Sequence, residues 1–494
     1  MAQRTHAAAI RTVARVVGVS ALVAGTAFAA VTSSGAGQQK DTALAAKGKA
    51  GKAAAFKTDF NGDGYADTVS SAPRAPIGKK HDAGFITISY GSAKGASTTH
   101  RQIFSANTKG VPGEATNSGR FGESSVARDF DGDGITDLAL TDAGKVIILW
   151  GAKGKTLKSA AAEEAGVVVP GVNSVRALAA GDFNGDGKAD LAVDGNGSKV
   201  NVLYGGFGRD GKPAKTSESD TGHEFGADKL ISGDVTGDGV DDLVTTHSFE
   251  EKSEKSEFFK GTKDGLEAKS KPTDDAETGV IADVNKDGFG DLVIRTVPGG
   301  VLEDLPYDHG TLKVIYGTAD GLGTKTTKIT QNSPGVPGSN EKGDEFGKAL
   351  AAGDVNGDGY ADIAVGAPYE DIGKSKDGKD TGAVVLLLGG KKGLTGTGSQ
   401  AFHQNTKGVP GAIEADDRFG SAVSLGDTDN DGHDDLAIGA PGEDGSGDEA
   451  TDAGAVWVLR GSGSGLTTKG VISYGPKTLG APEDHSALGT SFSH

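Results

Sequence analysis

Asp354-Val355-Asn356-Gly357-Asp358-Gly359-Tyr360-Ala361-Asp362 places an acid or amide at positions 1, 3, 5 and 9 and a glycine at position 6. The same pattern, D-x-[N/D/T]-x-D-G-x-x-D, begins at Asp59, Asp129, Asp182, Asp234, Asp283, Asp354 and Asp427, at intervals of 49 to 73 residues. Quasi-regular recurrence on this scale marks a repeat architecture. Each acidic stretch runs into a short apolar segment, such as Leu191-Ala192-Val193 or Ile363-Ala364-Val365. After a turn, a second apolar segment ends in glycine, at Gly91, Gly151, Gly205, Gly261, Gly317, Gly389 and Gly461. Short, β-branched or apolar runs bounded by Gly, Pro and Asp read as buried strands, so every repeat is expected to be a small antiparallel sheet.

Such a sheet cannot bury both faces alone, and radial packing against neighbours solves this. The expectation is an all-β fold, a seven-bladed β-propeller; a linear solenoid is the alternative. Phe121-Gly122, Phe225-Gly226, Phe346-Gly347 and Phe419-Gly420 precede acidic loops, while the first loop has no such pair before it. Past the seventh repeat, Leu488-Gly489 is a version of the same unit with no acidic loop after it. The surplus at one end matches the deficit at the other. A ring closed by the C-terminal strand joining the first blade explains this, and a solenoid does not.

Composition narrows the function. The 494 residues include 81 glycines without a collagen period, no cysteine, and a formal net charge of −18. The hydrophobic 35% is spread along the chain in strand-like runs, which argues against disorder throughout. The acid excess would repel a polyanion, so no nucleic acid is expected as partner. Without cysteine no disulfide staples the fold, and the histidines show no zinc-ligand spacing.

Arg4, Arg11 and Arg15, then the apolar stretch from Val16 to Ala29 ending in Ala27-Phe28-Ala29, read as a cleaved secretory signal. The expected organisation is a signal peptide over 1–29, a flexible leader over 30–55 and the propeller over 56–494. No later segment is apolar enough to span a membrane. The mature chain is expected to be secreted and extracellular, with cell-surface association open, and monomeric.

The acidic loops suit calcium, a hard ion that takes six to eight oxygens from carboxylates, amides and carbonyls. Positions 1, 3, 5 and 9 would offer side chains and position 7 its carbonyl, with glycine at position 6 allowing the positive φ of the turn. The expected ligands are Asp59, Asn61, Asp63, Tyr65 and Asp67 in the first loop and Asp129, Asp131, Asp133, Ile135 and Asp137 in the second. The third offers Asp182, Asn184, Asp186, Lys188 and Asp190, and the fourth Asp234, Thr236, Asp238, Val240 and Asp242. Asp283, Asn285, Asp287, Phe289 and Asp291 form the fifth, and Asp354, Asn356, Asp358, Tyr360 and Asp362 the sixth. Asp427, Asp429, Asp431, His433 and Asp435 complete the set, for up to seven ions, one per blade. Thr236 makes the fourth loop the weakest candidate. Position 12 never carries the bidentate Glu of an EF-hand. An Asp-Gly turn without metal is the alternative for any single loop, but crowded carboxylates repel one another unless neutralised. With every position supplied by protein, calcium is expected to be structural. These positions hold 23 of the 68 acids; seven divalent ions would bring the mature charge from −21 to −7.

Phe-Gly, an acidic loop, then Gly366-Ala367-Pro368 or Gly439-Ala440-Pro441 resembles the FG-GAP repeat of integrin α-subunit propellers and their secreted bacterial relatives. The resemblance runs from about residue 56 to the C-terminus and is strongest in the sixth and seventh repeats. Ser174-Val175 and Asp275-Ala276 stand where Phe-Gly would, and the first repeat keeps only Ser71-Ala72-Pro73. The expected function is an extracellular binding or adhesion module for a protein or glycan. No G-x-S-x-G, H-E-x-x-H or P-loop occurs and no catalytic residue is assigned; paired carboxylates keep a propeller-based polysaccharide lyase or hydrolase as the alternative. Asn107 to Gly113, Asn332 to Gly338 and Asn405 to Gly411 share a G-V-P-G ending and read as rim connections or a binding face. Pro368-Tyr369-Glu370-Asp371 and Pro441-Gly442-Glu443-Asp444 would add an acidic rim.

Overall fold

The computed structural model describes residues 57–154, 165–195, 197–445 and 451–493. The expected signal and leader, 1–29 and 30–55, lie outside them. The described chain is a seven-bladed β-propeller. Its sheets are antiparallel meanders, with strands hydrogen-bonded in chain order. Blade 6, for example, comprises Leu350–Gly353, Asp362–Ala367, Ala383–Leu387 and Gln400–Phe402, with Ile363 opposite Ala352 on one side and Leu387 on the other. In blades 2 to 7 each acidic stretch connects the first strand to the second and each strand-end glycine lies at the end of the third, whereas the acidic loop of blade 1 leads directly into Thr68–Ala72.

Seven hydrophobic cores lie among the described residues, one between each pair of neighbouring blades. Leu312, Val314 and Phe346 meet Ile363, Val365 and Leu387 between blades 5 and 6, and Phe419, Ile438 and Trp457 meet Val384 and Leu386 between blades 6 and 7. The seventh joins Ala437, Val456 and Val458 of the last blade to Ala72 and Phe85 of the first, with Leu488 and Phe492. A solenoid of seven sheets has six interfaces; seven require a ring. Blade 1 has three named strands, Thr68–Ala72, Phe85–Ser89 and Arg101–Phe104. The C-terminal segment supplies the missing edge: Ser70 bridges Phe492, Ser71 N–H donates to Ser491 O at 3.0 Å, and Gly489 N–H to Ser71 O at 2.9 Å.

The Phe-Gly pairs seal these interfaces. Phe121, Phe346 and Phe419 are fully buried. At Gly122, with φ of +78°, an added Cβ would lie 2.1 Å from Ile86 of the preceding blade. Phe225 differs, being 48% exposed. The cause is register: it stands nine residues before its acidic loop, whereas the other three stand eight before theirs. Phe225-Gly226 is therefore not an equivalent of the other pairs. No helix among the described residues is long and apolar enough to cross a membrane.

Candidate functional site

The acidic stretches fold as seven copies of one turn. Position 6 has φ between 81° and 92° in every copy, as the turn requires of glycine. The first aspartate's Oδ2 accepts the position-6 amide, from 2.7 Å at Gly64 to 3.1 Å at Gly432. The fifth-position Oδ1 accepts the amide of position 7, as in Tyr65, Ile135 and His433, at 2.9 to 3.1 Å. In the second and seventh loops, Asp129, Asp131 and Asp137, and Asp427, Asp429 and Asp431, bring three carboxylate oxygens within 4.8 Å of one another.

Position 9 does something the pattern alone did not reveal. Asp67, Asp137, Asp190, Asp242, Asp291, Asp362 and Asp435 are all buried. Each Oδ1 accepts the amide of the strand-end glycine, from 2.7 Å at Gly205 to 3.0 Å at Gly317. In six of them, Oδ2 accepts an amide from the loop itself, such as Phe60 N–H at 2.9 Å or Val355 N–H at 3.1 Å; in the seventh it accepts from the Thr428 hydroxyl. The ninth aspartate thus locks its loop to the end of the third strand. Only glycine fits there, because a Cβ would sit 2.1 to 2.5 Å from the carbonyl oxygen of loop position 8 in all seven copies. Burial pushes Asp67 and Asp137 up to about 8 and Asp190, Asp242, Asp291 and Asp362 up to about 7, against backbone hydrogen bonds that pull the other way.

Neighbouring loops are tied head to tail. The position-8 amide donates to the position-1 carbonyl of the preceding loop: Thr136 to Asp59, Asp241 to Asp182, Gly290 to Asp234, Ala361 to Asp283 and Asp434 to Asp354, at 2.9 to 3.1 Å. Ala66 to Asp427, at 3.0 Å, joins the first loop to the seventh.

The donor set is all oxygen, the chemistry a hard cation takes. Buried side-chain oxygens with no hydrogen-bond partner occur in four loops: Thr236 Oγ1, Asn285 Oδ1, Asp354 Oδ1 and Asp429 Oδ1. Unpaired buried acceptors are costly, and a cation would satisfy them. Sequence reasoning missed four basic side chains that reach loop carboxylates, among them Lys57, whose Nζ lies 3.9 Å from Asp427 Oδ2. Arg209 lies 2.6 Å from Asp131 and 3.4 Å from Asp133, Lys260 lies 3.1 Å from Asp238, and Arg460 pairs with Asp429. For Lys260 and Arg460 a signal existed, since each immediately precedes its strand-end glycine, where Tyr90, Trp150, Tyr204, Tyr316 and Leu388 stand in the other blades.

Antiparallel connections alternate between ends, so the second-to-third-strand loops and the blade-to-blade connections form the rim opposite the acidic loops. There the two motif sets singled out in the sequence converge. Gln331, just before the G-V-P-G segment of blade 5, donates from Nε2 to Glu370 at 2.6 Å, and Gln404 does the same to Glu443 at 2.5 Å. Beside them Asp344 accepts from Glu341 N–H at 3.0 Å and Asp417 from Glu414 N–H at 2.8 Å. Burial, reinforced by neighbouring carboxylates, pushes Asp344 and Asp417 up to about 7 and Glu443 up to about 8. In blade 2 the constellation is absent, with Ala106 and Gly119 in place of the glutamine and aspartate.

The same rim carries a groove across blades 2 to 4. One hollow of about 450 Å³ is lined by Arg120, Glu123, Arg176, Asp194 and Phe225 among others. A second of about 250 Å³ shares Arg176 and Phe225 and adds Asp228 and Phe249. Phe225 and Phe249 stack with centroids 5.2 Å apart and planes 9° off parallel, and both are more than 40% exposed. Arg176 is largely in solvent, 3.9 Å from the buried Asp194.

Comparison with known proteins agrees with this architecture. The FG-GAP repeat matches residues 346–387 and 419–459, and an FG-GAP-like repeat matches 129–193. Integrin alpha pat-2 of Caenorhabditis briggsae is 31% identical over 54% of this chain and 20% of its own length. Integrin alpha-PS5 of Drosophila melanogaster is 38% identical over 33% and 14%, and phosphatidylinositol-glycan-specific phospholipase D of Bos taurus 31% identical over 34% and 18%. The chain thus spans a fifth or less of these relatives. An Agrocybe aegerita lectin described as recognising non-reducing terminal N-acetylglucosamine aligns over 86% of this chain and 92% of its own, at 16% identity and a TM-score of 0.43, too weak a likeness to inform fold or ligand.

Proposed function

We infer that this chain, an integrin α-like FG-GAP β-propeller, works as an extracellular binding or adhesion module whose acidic loops hold calcium structurally. Its ligand, a protein or a glycan, meets the opposite rim. The observation that carries the binding reading is the exposed, stacked Phe225–Phe249 pair beside Arg176 at the edge of two contiguous hollows. Exposed aromatic surface of this kind is uncommon on a monomer and marks recognition. Extracellular placement is supported by the arginines and short apolar stretch that end in Ala27-Phe28-Ala29.

The calcium reading rests on the oxygen-only donor set and the unpaired buried oxygens. A bound ion would supply the positive charge that lets the ninth-position carboxylates stay ionised where they are buried. The loop residues themselves do the rest. Positions 1 and 5 hold the turn through backbone amides, and position 9 anchors it to the third strand. Calcium at about a hundred times its dissociation constant stabilises a folded state by about 2.7 kcal/mol per site; an unchanged melting temperature in excess EGTA refutes the role.

Binding is tested by presenting the calcium-loaded full chain to a glycan array and a panel of extracellular proteins, alongside a Phe225→Ser/Phe249→Ser variant of equal melting temperature. Ligands lost by the variant support the groove, and ligands kept by it place recognition elsewhere. Turnover of polysaccharides or esters by the same preparation would favour the lyase or hydrolase alternative.

A further inference from the structure

Beside the exposed Phe225–Phe249 pair lies a second, buried stack. His223 and His247, each two residues before one of the phenylalanines, have ring centroids 4.0 Å apart and planes 15° off parallel. His247 and Phe249 belong to the strand Asp242–Phe249, where residues two apart share a face. The connection from blade 3 to blade 4 lays His223 on the first and Phe225 on the second. Its ends are tied by backbone bonds, Thr221 N–H to Ser198 O and Asp228 N–H to Thr246 O, both at 2.8 Å. Between them, among the described residues, no backbone-to-backbone bond holds residues 222–227. The polar side chain that fastens this stretch is His223.

His223 Nδ1 lies 2.7 Å from Glu254 Oε2, and Nε2 lies 3.4 Å from Glu257 Oε1. Neither glutamate forms an ion pair with any other side chain among the described residues. The titratable groups that the neighbouring strands set against His223 are these two, from Lys252–Phe259, and His247. Glu224 and Asp228 follow in its own connection, and Asp228 feels the charges of Arg176, Lys229 and Glu254. A neutral imidazole has one N–H and one bare lone pair. With Nδ1 donating to Glu254, the lone pair of Nε2 points toward a carboxylate, and this buried nitrogen has no hydrogen-bond partner. A protonated ring has two N–H groups and serves both glutamates through charge-assisted bonds. His247 does not compete for the proton: its Nε2 meets Thr245 Oγ1 at 2.7 Å, and burial, then the charge of His223, hold it down at about 3. We propose that His223 is a positioning residue for the groove: with a proton on its ring it spans Glu254 and Glu257 and keeps Phe225 stacked on Phe249, and without it the connection loosens and recognition by the groove weakens. This rests on the reading of the Phe225–Phe249 pair as the binding site.

Fluorine NMR tests this without a ligand. The full calcium-loaded chain carries 4-fluorophenylalanine at position 225, and Phe249→Ser in the same labelled chain gives the unstacked position of the resonance. Between about pH 5 and 8, the window in which histidine side chains change charge, the wild-type resonance is expected to move toward that unstacked position as pH rises. His223→Gln, with no ring to titrate, is expected to stay at one position. Glu257→Gln, whose amide can donate to the neutral imidazole, is expected to remain stacked throughout. A wild-type resonance that does not move, or one that still moves in His223→Gln, overturns the proposal; should that variant not fold, movement persisting in Glu257→Gln overturns it equally. Glycans or proteins that Phe225→Ser/Phe249→Ser has lost should bind the wild type several-fold more weakly at about pH 8 than at about pH 5.5, and Glu257→Gln equally at both. Equal wild-type binding at both also overturns it. If the double variant loses no ligand, the binding reading fails instead, and the fluorine titration registers that separately because it needs no ligand.

Discussion

The backbone amide of Ala66, in the first acidic loop, donates to the carbonyl oxygen of Asp427, in the seventh, at 3.0 Å, tying the two ends of the ring together on the acidic-loop side. Closure needs a matching seam in the core, and Leu488 and Phe492, both buried among blades 1 and 7, provide it. Phe492→Ala is expected to cost about 3–5 kcal/mol, the usual range for emptying a buried phenylalanine site, although it lies two residues from the last residue of the sequence. Urea denaturation measures this, and a loss below about 1 kcal/mol would mean that the C-terminal segment does not hold the ring together.

Gly389 and Gly390 are adjacent but should respond oppositely to alanine. A Cβ on Gly389 would lie 2.3 Å from Ala361 O, whereas one on Gly390 meets nothing within 4 Å. Gly389→Ala must also disturb the amide that donates to Asp362 at 2.9 Å. Overpacking against backbone costs about 1–3 kcal/mol or more, so Gly389→Ala is expected at or above the top of that range and Gly390→Ala within about 0.5 kcal/mol of wild type. Equal midpoints for the two variants would contradict the close approach.

Much of this was legible in the sequence because the signals are local. The acidic loop is nine consecutive residues with its glycine at a fixed offset, and blade number and ring closure follow from counting such units. What stayed hidden depends on contacts across blades or on single-residue register. Phe225-Gly226 looks like Phe346-Gly347 on the page, yet a shift of one position turns its ring out to solvent. Arg209 reaches Asp131 from the next blade, 78 residues on, and nothing in the repeat pattern marks it. The glycine after each third strand was visible, but its cause, a carboxylate and a carbonyl crowding the same point, appears only in three dimensions.

The Gln404–Glu443–Asp417 cluster predicts a pH dependence. Asp417 and Glu443 are raised from 3.8 and 4.5 to about 7 and about 8, chiefly by burial and then by the charges of Glu414 and Asp444, with Asp417 adding to the rise at Glu443. The folded state therefore binds more protons than the unfolded state between those limits, and stability falls as pH rises from about 5 through about 8. In calcium-saturated buffer, chemical denaturation at several pH values should show this decline, and Glu443→Gln, which mimics the protonated side chain, should flatten part of it. A variant with the wild-type slope would exclude this cluster as its source.

Two acids of one loop should separate under chelation. Asp362 accepts Val355 N–H at 3.1 Å and Gly389 N–H at 2.9 Å. An asparagine there would have to turn its NH₂ toward one of these donors, leaving a buried amide unpaired at about 1–3 kcal/mol. Asp358 is exposed; its Oδ1 accepts the Tyr360 amide at 3.0 Å, a bond that an asparagine oxygen can also accept, and the bond its Oδ2 accepts from Asn356 Nδ2 at 3.1 Å lies at the surface, where water can replace it. Asp362→Asn is therefore expected to lower stability in EGTA as well as in calcium. Asp358→Asn should match wild type in EGTA and fall below it only when calcium is present. Melting temperatures of both variants with and without calcium decide this, and a calcium-independent loss in Asp358→Asn would show that position 5 serves the turn rather than the ion.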